Sequence, residues 1–549
     1  MTPETLAEKV LSATRAAFEA LALDDAVLPT QTAVERPRDP KHGDYASNIA
    51  LQTAKKAGTN PRALAEKIAE LLAAVDGVAK VDIAGPGFLN ITLDAAAAGE
   101  IAGKIVAAGP SYGDNASMAG QQVNLEFVSA NPTGPIHIGA VRWAAVGDAL
   151  ARVMRASGAK VTAEYYFNDA GSQIDNFSAS LLASAKGEET PENGYGGAYI
   201  DEIAAEVVKN RPDILDAEDP RELFRKDGVD LMFAEIKSDL AAFGTHFDVF
   251  FNEKDLHDKG ELDAAVERLQ KQGHIFEADG AIWLRTTTFG DDKDRVVKNS
   301  RGGWTYFAAD CAYYLDKRER GFDKLVLMLG ADHHGYVGRM QAISQAFGDE
   351  PGTLEILIGQ LVNLLRDGKP VRLSKRAGNM ITLNDVVEAV GVDAARYALA
   401  RYSADSSIDL DIDLWTKHSS DNPVYYVQYA HARVSGVLRN AAERGVEKGE
   451  SYDAALLTHP RESDLLKALA EFPAVVATAA DLREPHRVAR YAEELAAAYH
   501  RFQHDCRVLP FPDEETTPVN QARLWVVDAT RVVLANALGL LGVSAPERM

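Results

Sequence analysis

The stretch Asn131-Pro-Thr-Gly-Pro-Ile-His-Ile-Gly139 combines residue types that can do chemistry. It lies between a strand pattern and a helix pattern. Such a junction offers a polyphosphate backbone N–H groups, a helix N-terminus and, in His137, a mobile proton donor. Taken alone the signal is weak. With 13 His and 42 Gly in the chain, a His-x-Gly triplet is expected about once by chance, and a capping or core histidine fits as well. Position strengthens it, because ligands of open parallel sheets bind outside the carboxyl ends of the strands.

A second candidate is Asp367-Gly-Lys-Pro-Val-Arg-Leu-Ser-Lys-Arg-Ala-Gly378, where Lys369, Arg372, Lys375 and Arg376 crowd together. Gly368, Pro370 and Gly378 predict a loop. A basic loop after a sheet strand suits the charge that develops on departing pyrophosphate; a solvated charged loop is the alternative. The third feature is acidic. Glu126 stands on the strand that feeds the His137 turn. Asp310 is four residues from Tyr306 on a helix pattern, so the two share one face. Two acids with aromatic neighbours suit a cation, and a guanidinium best, because it donates bidentately. A surface carboxylate and an ordinary helix charge remain open for these two. Finally Tyr425, Tyr426, Tyr429, His431 and Arg433 crowd one helix, and His486, Arg487, Arg490, His500 and Arg501 decorate others. Aromatics beside cations can stack unpaired bases, although core tyrosines and solvated charges account for most such residues.

The elements that must hold these residues follow from periodicity. Residues 1–112 read as a small α/β unit, with helices over 6–23 and 61–74 and two short strands around the turn at 85–87. Residues 123–127 alternate apolar and polar, which predicts a strand with two different faces. A helix follows over 138–153, then a strand over 161–167, making a right-handed βαβ unit. Residues 175–300 read as an inserted, mostly helical subdomain. Strands resume at 325–329 and 354–362, with the turn Gly330-Ala-Asp-His-His-Gly335 and a helix between them. The fold class is therefore α/β, a doubly wound parallel sheet over 113–415. Beyond it, 416–549 reads as an all-α helical bundle, with helices near 424–445, 463–482, 485–504 and 518–542.

Composition narrows the class. A chain of 549 residues is expected to hold two to four domains. The net charge of −23 argues mildly against a large non-specific grip on DNA, while leaving room for a local basic groove. Cys311 and Cys506 lack metal or disulfide spacing, so buried reduced thiols are expected. No leader pattern and no uncharged apolar run of about 18 residues is visible. We expect a cytoplasmic monomer with no membrane association.

Together these residues resemble the arginyl-tRNA synthetases of class I. The likeness covers nearly the whole chain. His137-Ile-Gly-Ala140 and Arg372-Leu-Ser-Lys-Arg376 are similar to the two class signatures. Glu126-Phe-Val-Ser-Ala-Asn-Pro-Thr-Gly-Pro, Tyr165-Tyr-Phe-Asn-Asp-Ala-Gly-Ser-Gln, Tyr306-Phe-Ala-Ala-Asp and Gly330-Ala-Asp-His-His-Gly-Tyr are similar to the arginine family's own strings. So are Val371-Arg-Leu-Ser-Lys-Arg-Ala-Gly, Gly43-Asp-Tyr-Ala-Ser-Asn and Ala545-Pro-Glu-Arg-Met549. Two positions depart: Ala140 replaces the first signature's second histidine, and Arg372 the first lysine of the second.

The resemblance implies a Rossmann catalytic core, an N-terminal domain that touches the tRNA elbow and a helical anticodon-binding domain. It implies ATP with Mg²⁺, no dedicated protein metal site, and activation of L-arginine only with tRNA(Arg) bound. His137, Gly139, Gly330, Asp332 and Lys375 would meet ATP, with Arg372 and Ser374 assisting Lys375. Tyr306 and Asp310 would meet the guanidinium of arginine, and His333 would also contact arginine. Glu126 and Asn131 would hold its α-amino end or order the pocket. Tyr425, Tyr429 and Arg433 would meet tRNA.

Overall fold

The computed structural model describes residues 3–37, 42–371 and 380–549. Arg372, Ser374, Lys375 and Arg376 lie outside the described residues.

The first unit packs the helix Pro3–Ala20 and the helix Pro61–Leu72 on a small antiparallel sheet. Its strands are β1 (Tyr45–Ser47), β2 (Val78–Ala84) and β3 (Phe88–Leu93), in the order β1-β3-β2. Asn60 caps the second helix by accepting from the backbone of Arg62 and Ala63, and Pro61 fills its first position, where no N–H is needed. The core is closed by Leu6, Phe18, Leu64, Ile68, Leu89 and Ile91. The helix Ile101–Ala108 instead packs on the long C-terminal helix Pro518–Leu540.

The central sheet has five parallel strands: β4 (Gln122–Glu126), β5 (Lys160–Phe167), β6 (Val249–Asn252), and, later in the chain, β10 (Lys324–Gly330) and β11 (Leu354–Gly359). The order is β11-β10-β4-β5-β6. The chain winds outward from β4 through β5 to β6, then returns to β4's other side with β10. The strand order thus reverses between β4 and β10, which is where a doubly wound sheet opens a ligand crevice.

The stretch 175–300 is helical as far as the helix Pro220–Ala242, but it is not wholly an insertion. Val249–Asn252 is too short to signal itself among helices, and it completes the central sheet. A small antiparallel sheet follows: β7 (Ile275–Ala278), β8 (Ala281–Leu284) and β9 (Arg295–Lys298). The single strand expected over 354–362 is two. After β11 the chain enters β12 (Val362–Arg366), which pairs with β13 (Lys369–Pro370) and β14 (Ile408–Asp411). Asp367 and Gly368, both with positive φ (52° and 67°), make the β12–β13 hairpin turn, so this part of the expected loop is strand.

Past β14 the described structure is helical: Pro423–Glu443, Pro460–Ala470, Phe472–Asp481, His486–Asp505 and Pro518–Leu540. Cys311 and Cys506 are free and buried.

One guanidinium locks this bundle to the catalytic sheet. Arg396, fully buried on the helix Val392–Ala400, binds Asp148 of the helix Ile138–Ala156. It also donates to Phe243 O (3.0 Å) and Leu541 O (3.3 Å). Gly542 leaves the room it needs, since a Cβ there would lie 2.1 Å from Arg396 Nη2.

The helix Ile138–Ala156 crosses the sheet closely because Gly147 faces Phe127, whose ring would lie 2.4 Å from a Cβ at that position. Gly147→Ala is therefore expected to destabilise the protein by about 1–3 kcal/mol in denaturant melts. Adding Phe127→Leu should recover part of that loss. A Gly147→Ala melt unchanged from wild type would contradict this packing.

Candidate active site

The chain leaves β4 with Val128 and Ser129 both at positive φ (70° and 37°). A β-branched residue there is strained. The turn sets the Ser129 hydroxyl to donate to Glu126 Oε1 (3.1 Å) and to accept from the Tyr166 N–H (3.1 Å). Asn131 is consumed in the same framework. Its amide donates to Gln173 (2.9 Å) and its oxygen accepts from Asn168 N (3.0 Å), tying this loop to the end of β5.

His137 is the N-cap of the helix Ile138–Ala156, and its Nδ1 accepts from Gly139 N (3.2 Å). The capping and phosphate readings are thus compatible: Nδ1 is used internally, which leaves the proton on Nε2, facing outward as a donor. Burial lowers the ring's pKa, and the nearby Asp332 carboxylate opposes that shift. Gly139 is needed because a Cβ would press on the imidazole at 3.0 Å. Ala140 is buried in the core, so that position supplies packing only.

A backbone seam joins this turn to the segment that follows the second signature. Ile138 N donates to Ile381 O (2.8 Å), Leu383 N donates to Ile136 O (2.7 Å), and His137 and Thr382 form a β-bridge. Thr382 caps the helix Leu383–Val390, so two helix N-termini meet where a polyphosphate would be expected. From the other side of the switch point, β10 delivers Gly330, Asp332 and His333 in the 3₁₀ turn Ala331–Tyr336. Asp332 and His333 are exposed, with His333 Nε2 3.4 Å from Asp332 Oδ2.

Asp310 and Tyr306 separate. Tyr306 stands at the rim, 73% exposed. Asp310 sits one turn deeper in the helix Tyr306–Glu319, accepting a hydrogen bond from Tyr336. Desolvation pushes its pKa up to about 7; Tyr336 and Arg339 oppose the shift, while Glu253 and Glu126 add to it. Glu253, buried at the start of the helix Glu253–Asp258, accepts from the Tyr166 hydroxyl. Glu126 is buried and ion-paired with Lys317 rather than lying on a surface. Glu253, Tyr336, Tyr166 and Lys317 escaped the sequence reading. Tyr336 closes the string that begins at Gly330 and was within reach; Glu253 follows a strand too short to recognise.

In the helical bundle, Tyr425 and Tyr429 stack with centroids 6.1 Å apart, and His500 lies 5.2 Å from Tyr426 and 6.1 Å from Tyr429. With Arg433, His504 and Ser420 they line a cleft of about 520 Å³. His431 is not part of it; it is buried and bonded to Pro546 O (2.9 Å). Among the described residues no cluster of three or more His, Cys, Asp or Glu could hold a metal ion, and no helix is long and apolar enough to cross a membrane.

A Rossmann-type sheet with this signature at its switch point and a helical bundle behind it defines a class I aminoacyl-tRNA synthetase. Comparison with known proteins bears this out. Residues 4–93 match the arginyl tRNA synthetase N terminal domain, 103–408 the class I (R) tRNA synthetase catalytic domain, and 427–549 the DALR anticodon binding domain. The chain is 61% identical to the arginine–tRNA ligase of Kineococcus radiotolerans, with all of both chains covered. A Campylobacter jejuni structure assigned as an arginyl-tRNA synthetase matches at TM-score 0.77 and 34% identity, covering 83% of this chain and 100% of that one. Thermus thermophilus arginyl-tRNA synthetase matches in fold at TM-score 0.77 and 21% identity, with both chains fully covered. The chain belongs to the arginyl-tRNA synthetase family.

Asp310 has a consequence for stability. Its folded pKa lies above the usual carboxylate value of 3.8. Its contribution to stability is therefore fully present below that value and lost as pH rises through about 7. Asp310→Asn should raise the melting temperature near pH ~8, with the gain shrinking toward pH ~5. Thermal scans across that range check it; a constant difference between variant and wild type would contradict it.

Proposed function

We propose that this synthetase joins L-arginine to tRNA(Arg) through an arginyl-adenylate, with arginine activated only when tRNA is bound. The arginine carboxylate attacks the α-phosphate of ATP, forming an O–P bond as pyrophosphate leaves. A hydroxyl of the terminal tRNA adenosine then attacks the adenylate's carbonyl carbon, and AMP departs. Mg²⁺ enters with ATP as part of the substrate. The first step needs positioning and charge neutralisation rather than a covalent nucleophile.

The observation that carries this reading is Asp310, a carboxylate that accepts from Tyr336 and has Arg339, Glu253 and Glu126 as its charged neighbours. In the proposal His137 donates from Nε2 to an ATP phosphate, beside the Gly139 backbone, Gly330 and Asp332. Lys375, assisted by Arg372 and Ser374, neutralises the leaving pyrophosphate. Asp310 takes the guanidinium, with Tyr306 and His333 at the rim. Glu126 and Asn131 hold the α-amino end or order the pocket. The cleft of Tyr425, Tyr429 and Arg433 receives an unpaired anticodon-loop base, since stacking aromatics beside a cation suit one. The division runs 1–112 for the elbow-contacting domain, 113–415 for the catalytic domain with its insert near 175–300, and 416–549 for the anticodon domain. The proposal includes a cytoplasmic monomer with no DNA partner. A pocket of buried carboxylates rejects neutral analogues by leaving charge unpaired, so no editing site is required.

Pyrophosphate exchange and aminoacylation with purified tRNA pools, screened over amino acids, test the reading; exchange with another amino acid in preference to arginine would overturn it. Asp310→Ala should raise the arginine KM at least about tenfold with ATP affinity little changed. A normal arginine KM would remove Asp310 from the site. Lys375→Ala should lower kcat by roughly 10²–10³; exchange near the wild-type rate would make Lys375 a bystander.

A further inference from the structure

Asp310, Tyr313, Lys317 and Arg320 recur at spacings of three and four, so they form one stripe along the helix Tyr306–Glu319 and its C-cap. That stripe faces the alternate residues of β4 and β5, namely Asn124, Glu126 and Glu164. Lys317 is 2% exposed; its ammonium binds Glu126 Oε2, lies 3.6 Å from Glu164 Oε1 and sits 4.3 Å from the Tyr313 ring centroid. Glu126's other oxygen is taken by Ser129. Glu164 is fully buried; it accepts from Arg320 twice (2.6 and 3.1 Å), from Tyr313 (2.5 Å) and from Asn124 (3.0 Å). The C-terminal part of the stripe thus sets Lys317 and Arg320 among three carboxylates, Glu126, Glu164 and Asp316, the last 2.8 Å from the Arg320 guanidinium. Its N-terminal end leaves Asp310 facing Tyr336, Arg339, Glu253, Glu126 and the Tyr166 phenol.

We propose that Lys317 is the positioning residue that sets the charge of the amino-acid pocket: an internal cation that withdraws Glu126 from substrate binding, so that Asp310 with Glu253 carries the recognition of the guanidinium. This rests on the assignment of Asp310 to arginine, and it decides between Glu126's two roles in favour of ordering the pocket. Lys317 acts through Glu126 and touches no substrate. Its removal leaves Glu126 an unbalanced neighbour of Asp310, which favours the proton on Asp310. Removal of the Glu126 charge takes a negative neighbour from Asp310 and leaves Lys317 without its nearest carboxylate, and does the opposite.

The test is the pH dependence of kcat/KM for L-arginine in aminoacylation, whose acid limb reports ionisation of the free enzyme. In Lys317→Met the limb should move to higher pH by about half a unit or more, and in Glu126→Gln to lower pH by a similar amount. Lys317→Met/Glu126→Gln should return it close to wild type, with the ATP KM within about twofold throughout. A merely structural lysine would change rates without moving the limb in opposite directions. The inference is overturned if Glu126→Gln leaves the limb in place or raises it, or if the double variant fails to restore it. Lys317→Met buries an unpaired charge, so if it does not fold, Glu126→Gln and the charge-free double variant decide. A wild-type profile with no acid limb would overturn the Asp310 assignment, and this inference with it.

Discussion

Two carboxylates buried beneath a single helix constrain much of this catalytic domain. Glu126 and Glu164 project from adjacent parallel strands into a protein interior, where an uncompensated charge is not tolerated. Burial alone would raise the Glu164 pKa; Lys317, Arg320 and Tyr313 outweigh it and hold it near 2. Removing one partner from such a layer typically costs about 3–5 kcal/mol, whereas a well-packed apolar replacement is often neutral. The layer is therefore better understood as a device for registration than for strength. It allows the helix Tyr306–Glu319 one seat on β4 and β5, and that seat fixes how deep Asp310 lies and how far Tyr306 stands out.

The same layer explains how much of the site was legible beforehand. Helix positions, the βαβ unit and the switch-point turn followed from periodicity, because long amphipathic repeats and Pro/Gly punctuation are local signals. The motif strings carried the family. The alternation in β4 was read correctly as two faces, but alternation cannot tell solvent from a polar layer roofed by a distant helix, so Glu126 kept a surface alternative. Asp310 and Tyr306 share a helix face in sequence terms; one helical turn of depth separates a half-buried acid from a rim phenol, and depth is a tertiary property. Val249–Asn252 was missed because four residues between helices carry too little pattern. Turn chemistry at Asp367–Gly368 alone does not say whether strands flank it, so the β12–β13 hairpin carries no signal beyond a loop.

The helical bundle is fastened to the sheet by specific polar chemistry as well as apolar contact. Arg396 reaches Asp148 on the signature helix and Leu541 at the end of the longest bundle helix. Arg483 closes a second contact by pairing with Glu355 on the sheet's edge strand (2.9 Å). The first unit meets the bundle through Asp44 and Lys467. The aromatic cleft around Tyr429 and the crevice around His137 thus belong to units joined through the buried Arg396–Asp148 pair.

The seam between Ile136–Ile138 and Ile381–Leu383 bears on the order in which the molecule is made. Its two edges are far apart in the chain, with most of the catalytic domain between them. Contacts of such long range form late, after the local units they join. A nascent chain still short of residue 381 carries the whole first signature yet has nothing to pair it with. On the proposed placement of ATP at this turn, nucleotide affinity arrives as one of the last properties of the growing enzyme, once the sheet, insert and return strands are in place.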